Sequence, residues 1–234
     1  MKKITILLLI LPFILVYITP LGEEGKNINI LLVYMAGCYV LLAILWLLKV
    51  QNEGRFEFIK KSFSGKCSLM SQVFISNYKN NKFSIFINQQ GPPPRILWHI
   101  CLHAPETLKL KLSIYNINPG PVLLNKKVEN DSFFAFSNRP KDANKFINTE
   151  NIKLLLNELL EISITKKAMK LLGINDDIDR KKLSVPIRTY SFFNIEKKII
   201  STTVVTTANE TIDIDIVKKN LDRLIEIKNL CNNF

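Results

Sequence analysis

His99, Cys101 and His103 form the cluster of side chains whose types and spacing suggest chemistry, and they include both histidines of the chain. Alternate residues of a β-strand share one face and lie about 6.6 Å apart, so neighbouring members could share a metal ion. His99 and His103 would then lie about 13 Å apart, whereas a helix would pair them at i and i+4. Either geometry provides two ligands, but catalytic zinc needs three protein ligands and structural zinc needs four. We expect a half-polar strand face, with these residues as candidate metal ligands.

Other catalytic signatures are missing from the sequence. It contains no G-x-S-x-G, GxGxxG or P-loop motif. The acidic run at 175–179 lacks the glycine and the distal glutamate of an EF-hand loop. The widely separated cysteines make neither a disulfide framework nor a zinc ribbon; they are Cys38, Cys67, Cys101 and Cys231. We therefore predict no catalytic residue and no cofactor, and we favour a protein without enzymatic activity.

The chain is strongly basic, with a formal net charge of +12. Four lysines and two glutamates give residues 1–50 a charge of +2, so the remaining residues carry +10. Such a charge suits anionic lipid headgroups or nucleic acid. However, 26 of the 32 basic residues are lysine, and bidentate phosphate recognition favours arginine. No helix-turn-helix or RNP motif is present, so nucleic acid is the less expected partner.

Two uncharged apolar segments occupy most of the first fifty residues, at 4–21 and 28–48. At about 1.5 Å per residue, each is long enough for a bilayer core of about 30 Å. A cleaved signal peptide is the alternative for the first segment, although no A-x-A-like cleavage site follows it. The prediction is a transmembrane helical hairpin within residues 1–50.

The basic residues that flank these segments predict the orientation. Lys2 and Lys3 precede the first segment and several lysines follow the second, whereas the loop between them contains Lys26 alone. The positive-inside rule then predicts a two-pass protein of the cell (inner) membrane with both termini in the cytoplasm. The lipid bilayer is thus the first expected partner.

Residues 51–234 have the pattern of one soluble α+β domain. Apolar residues alternate over 96–102 and 108–114, which predicts a β-hairpin with one buried face. Further strands are predicted at 83–87 and 132–136, and a second hairpin is predicted from 185–193 and 199–206.

Helices are predicted between and after these strands. Pro140 marks the first turn of one helix, and Thr149 is the expected N-cap of the next. Further helices are predicted at 163–172 and 215–231. Runs of strands and of helices, rather than strict alternation, favour an antiparallel sheet with two or three helices.

The layout over residues 131–234 has a short strand, a helical stretch, a hairpin and a terminal helix. The helical stretch reads SNRPKDANKFINTENIKLLLNEL. This order resembles uncharacterised bacterial membrane-anchored proteins with an N-terminal two-helix transmembrane pair and a soluble α+β domain. The resemblance implies a membrane-anchored layout and no site residues.

These features together predict a non-enzymatic accessory or interaction subunit of a membrane complex, with a basic cytoplasmic domain that binds a protein partner or the inner leaflet of the membrane. One alternative is a metal- or thiol-dependent enzyme that uses His99, Cys101 or His103. Another is a module that binds anionic lipid or nucleic acid.

Overall fold

The structure is a computed structural model of the whole chain. It describes residues 35–44, 46, 54, 56–68, 73–91, 94–104, 108–115, 126–171 and 190–231. The chain divides into two compact units, of which the first comprises Met1–Glu57 and Cys67–Gln72, and the second Phe58–Lys66 and Val73–Phe234.

The first unit contains a helical run at residues 35–44 and 46. Five of its large apolar side chains are exposed to solvent: Tyr39, Val40, Leu41, Ile44 and Trp46.

The second unit is built on one nine-stranded sheet with the order β1-β2-β3-β4-β9-β8-β5-β7-β6. The strands are β1 Gly65–Cys67, β2 Val73–Tyr78, β3 Asn81–Gln90, β4 Arg95–His103, β5 Leu112–Tyr115, β6 Lys126–Val128, β7 Phe134–Ser137, β8 Ser191–Glu196 and β9 Ile199–Thr207. The pairings from β2 onward are antiparallel. The helices are α1 Glu57–Ser62, α2 Pro140–Asn148, α3 Glu150–Glu161, α4 Lys166–Leu171 and α5 Ile214–Cys231.

One face of the sheet is apolar and supports the helices. It carries the fully buried Phe83, Ile100 and Val204 at the centre of the sheet. Helix α5 packs against β4 and β9 and against α3. The tip of the β2–β3 hairpin contacts α5 from this face, since the Tyr78 hydroxyl donates to the Asp222 carboxylate at 3.5 Å. The opposite face carries the odd-numbered residues of β4.

The predicted fold class is confirmed in its α+β character and its antiparallel sheet, but the predicted transmembrane helical hairpin is wrong. No helix among the described residues is long and apolar enough to cross a membrane. The first predicted span, residues 4–21, lies outside the described residues. The second, residues 28–48, overlaps the described residues at 35–44 and 46, which are helical. The number of helices is also corrected, because five are described beyond residue 56.

The predicted first hairpin is also wrong. Strand β4 pairs with β3 and β9, whereas β5 pairs with β7 and β8. Alternation of apolar residues identifies a strand but does not select its neighbour, which depends on long-range packing. The second predicted hairpin is confirmed in β8 and β9, which are joined at residues 197–198; residues 185–189 lie outside the described residues.

The structure adds detail at two positions, the start of α3 and the contact between β1 and β2. Thr149 is the residue before α3, as predicted, but its side chain makes no cap hydrogen bond and instead donates to the Lys145 carbonyl at 3.1 Å.

Gly65 is a position of close approach: an added Cβ would overlap the Phe74 ring and lie 2.6 Å from the Ile75 carbonyl oxygen. A glycine there lets β1 approach β2 closely.

Candidate functional site

The first candidate site is the row of odd-numbered residues on β4. Because the segment is a strand, His99, Cys101 and His103 lie on the same face of the sheet. The register places Ser84 and Ser201 beside Cys101, and Phe86 and Thr203 beside His99. The strand neighbours of His99 and Cys101 thus carry three hydroxyl groups and one aromatic ring, whereas His103 is paired with Ile199.

His99 is packed as a neutral ring. Its imidazole stacks on Phe86 with the ring centroids 4.3 Å apart and an angle of 18° between the planes. Its Nδ1 forms a 3.0 Å hydrogen bond with the buried hydroxyl of Thr203. Burial lowers the pKa of His99 from 6.5 to about 4, because the imidazolium loses its hydration. At neutral pH the ring is therefore uncharged.

Cys101 is a buried thiol, only 4% exposed. Burial raises its pKa to about 12, and the charge of Glu196 acts in the same direction. Hydrogen bonding with Ser201 and Ser84 opposes the rise. The thiolate is the nucleophilic form of cysteine, so this side chain is inert at neutral pH.

His103 lies at the end of β4 and is partly exposed. Its Nε2 forms a 2.9 Å hydrogen bond with the Ser84 hydroxyl. Burial, together with the positive charge of Lys82, lowers the pKa of His103. A nearby lysine of this kind also disfavours a bound cation.

The described residues bring together no group of three or more His, Cys, Asp and Glu side chains that could hold a metal ion. A nucleophile and base pair also requires a hydrogen bond between the thiol and an imidazole. Here each imidazole instead bonds a hydroxyl. The three side chains therefore make hydrogen bonds and packing contacts within the sheet. In the described structure they form neither a set of metal ligands nor a pair of thiol and imidazole that would activate a nucleophile.

The second candidate site is a groove between helices α3 and α5, with a volume of about 440 Å³. Its lining comes from both helices: Asn151, Leu154, Leu155, Glu158, Arg223, Glu226, Asn229 and Leu230. The volume is within the range of ligand-binding clefts, roughly 300–1,000 Å³. We refer to this feature as the α3–α5 groove.

The α3–α5 groove combines an apolar surface with a charged triad. Leu154 is 57% exposed, although most leucines of α3 are buried. Arg223 forms ion pairs with Glu158 of the other helix and with Glu226 one turn further along α5, the latter at 3.1 Å. All three charged side chains are partly exposed, so each pair stabilises the fold by about 1 kcal/mol at most.

No motif in the sequence predicted this groove. Ile152, Leu155, Leu156 and Leu159 form the buried stripe of α3. Leu154 lies off that stripe, and a large apolar residue on the outer face of an amphipathic helix is a signal for a contact surface. The pairing of α3 with α5 across about sixty residues was not visible in the sequence pattern.

Comparisons with known proteins leave the family open. The chain matches no protein-family model and no curated protein. Among solved structures it is similar to the crystal structure of the mycobacterial trehalose monomycolate transport factor A, TtfA, with a TM-score of 0.46 and 7% sequence identity. The match covers 78% of this chain and 93% of that chain.

Proposed function

We propose that the protein is a non-enzymatic accessory subunit that associates with a membrane and binds a protein partner through its α+β domain. The observation that supports this function best is the α3–α5 groove, which exposes Leu154 beside the charged side chains of Glu158, Arg223 and Glu226. An apolar centre with a polar rim is the usual anatomy of a protein interface.

The protonation states of His99 and Cys101 also support a function without catalysis. An enzyme that used this cluster would need an accessible thiolate, a base with a pKa near the working pH, or three metal ligands. Burial moves the pKa of Cys101 up and that of His99 down, so both groups are neutral at neutral pH. A metal- or thiol-dependent enzyme remains the alternative function, and stoichiometric zinc or copper that is lost in His99→Ala would favour it.

Membrane association is proposed from the N-terminal region. Residues 1–50 are mostly apolar, and the described helical run within them exposes large side chains such as Trp46, at 62%. Burying such surface in lipid is favourable by about 25 cal/mol per Å². The lysines that follow the region suit the cytoplasmic face with its anionic lipids.

Two experiments test this function. In the first, cells that express the tagged full-length chain are cross-linked, and the proteins that co-purify in mild detergent are identified. We expect one stoichiometric partner that is absent from an untagged control. Recovery of the chain alone would contradict the accessory role.

The second experiment tests the location. Membranes are washed with high salt, and a reporter is fused after Phe234. We expect the chain to stay with the membrane in the salt wash, because burial of apolar side chains in lipid is not screened by salt, and we expect a cytoplasmic reporter to be active. Release into the salt wash would show a purely electrostatic attachment, and activity of a reporter that works only outside the cytoplasm would contradict the orientation.

A further inference from the structure

We propose that the α3–α5 groove binds an amphipathic helix of a protein partner, with apolar residues facing the groove and lysine or arginine beside them. This inference rests on the proposed function and deepens it, because it names the surface and the chemistry of the partner segment. It depends on three observations: the extent of the groove along both helices, the exposure of Leu154 and the charge of the rim.

The shape of the groove suits a helix as the occupant. Its lining residues run over about two turns of each helix, from Asn151 to Glu158 on α3 and from Arg223 to Leu230 on α5. Helices α3 and α5 pack against each other, and the furrow along a packed helix pair is the kind of surface that takes a third helix in the helix-in-groove mode of recognition.

Leu154 supplies the apolar anchor of the groove. Among the described residues of the second unit, the exposed large apolar side chains are Ile75 and Phe86 on the sheet and Leu154 on a helix. On the described helices of the second unit, Leu154 is therefore the side chain with the most apolar area left to bury. An apolar side chain of a partner that covers it would remove that area from water. Apolar side chains of this kind dominate helix-in-groove binding.

The charge of the rim selects the chemistry of the partner. Glu158, Arg223 and Glu226 sum to −1 in a chain of net charge +12. One oxygen of each carboxylate contacts Arg223, so the other oxygen remains on the partly exposed rim. A lysine or arginine of the partner can pair with those oxygens, and an acidic partner would meet two carboxylates. A second copy of this chain carries the same +12 and is disfavoured by mutual repulsion.

The test uses two helical peptides and the full-length protein in mild detergent. Both peptides are alanine-based with leucines at i, i+3, i+4 and i+7; one has lysines beside the leucines and the other has glutamates. Binding is measured by fluorescence anisotropy. We expect the lysine peptide to bind more tightly than the glutamate peptide, and the preference to shrink at high salt. Equal affinities, or no binding of the lysine peptide, would overturn the inference.

Matched variants assign the binding to the groove. Leu154→Ser should weaken binding of the lysine peptide roughly tenfold, while Ile75→Ser, another exposed apolar residue, should leave it unchanged. Glu226→Lys should reverse the preference between the two peptides, and Glu196→Lys, which changes the net charge equally, should not. Leu154 is more than half exposed, so Leu154→Ser should melt like the wild type, which circular dichroism checks. Equal effects of test and control variants would contradict a groove site.

The cross-linked partner separates failure of this inference from failure of the proposed function. A partner captured by the wild type and lost in Leu154→Ser supports both. A partner that Leu154→Ser retains leaves the accessory role standing and overturns the groove as its site. If no partner is captured while the lysine peptide shows the expected variant pattern, the groove stands and the accessory role falls. A Leu154-dependent dimer in light scattering would make a second copy the occupant and overturn the inference.

Discussion

Acidification should destabilise this protein chiefly through His99. Burial lowers its pKa in the folded protein to about 4, against an ordinary value of 6.5. Between these two values the unfolded chain binds a proton that the folded chain does not. The contribution of the neutral His99 ring to the free energy of unfolding is therefore fully present above about pH 6.5. It is lost progressively as the pH falls towards about 4.

The size of the effect follows from the same pKa difference. The gap between 6.5 and about 4 corresponds to about 3 kcal/mol of unfolding free energy. That is a large share of the roughly 5–15 kcal/mol by which domains are stable. Phe86 stacks on the ring and the Thr203 hydroxyl bonds its Nδ1, and neither neighbour carries a charge that would favour the imidazolium. His103, whose pKa is also lowered, adds a contribution in the same direction.

The assay is urea unfolding of the full-length protein in mild detergent at several pH values between about 7 and 4. The wild type is compared with His99→Gln and with the matched control His103→Gln. We expect the wild type to lose about 3 kcal/mol more than His99→Gln over this range. His103→Gln should retain most of the wild-type pH dependence.

Two results would refute this reasoning. Parallel pH profiles for the wild type and His99→Gln would mean that the ring is not held in its neutral form by the fold. An NMR titration in which His99 protonates near its ordinary value of 6.5 would show the same directly. Either result would also reopen a catalytic role for this side chain.

Three further predictions concern the packing around the sheet. Cys101 should resist thiol reagents at neutral pH in the native protein and react after unfolding in urea, because its pKa is about 12; equally rapid native labelling would contradict its burial. Gly65→Ala should cost about 1–3 kcal/mol in urea unfolding, whereas Gly91→Ala, whose added Cβ would lie 3.8 Å from its nearest neighbour, should be close to neutral. Thr206→Val should cost about 1–2 kcal/mol, because its hydroxyl accepts the 3.0 Å hydrogen bond from the buried Trp98 indole, and an unchanged midpoint would refute that role.

Some elements of the fold could be predicted because local pattern determines them. The alternation from Ile96 to Leu102 identified β4, and the helix predicted at 215–231 is α5, in which Val217, Leu221 and Leu224 are buried at helical spacing. Pro140 begins α2 as expected, because its missing N–H costs nothing in a first helical turn. These features depend on side chains a few residues apart, which a sequence window contains.

The partners of those elements could not be predicted in the same way. β4 lies between β3 and β9 rather than beside β5, and its neighbour β9 is about a hundred residues away in the chain. Strand pairing depends on which apolar faces pack together, and alternation is the same for any partner. The length of an apolar segment also did not establish a transmembrane hairpin, since no described helix is long and apolar enough to span a membrane.

The sequence alone determined the α+β class, the basic charge and the absence of familiar catalytic motifs, since these follow from composition and short-range spacing. The tertiary structure decided what His99, Cys101 and His103 can do. It buried the thiol among hydroxyl groups and stacked one imidazole on Phe86, and burial sets which protonation state survives. It also brought α3 and α5 together, so that Leu154 and Arg223 share a groove. That juxtaposition is a property of long-range packing, which no local pattern in the sequence encodes.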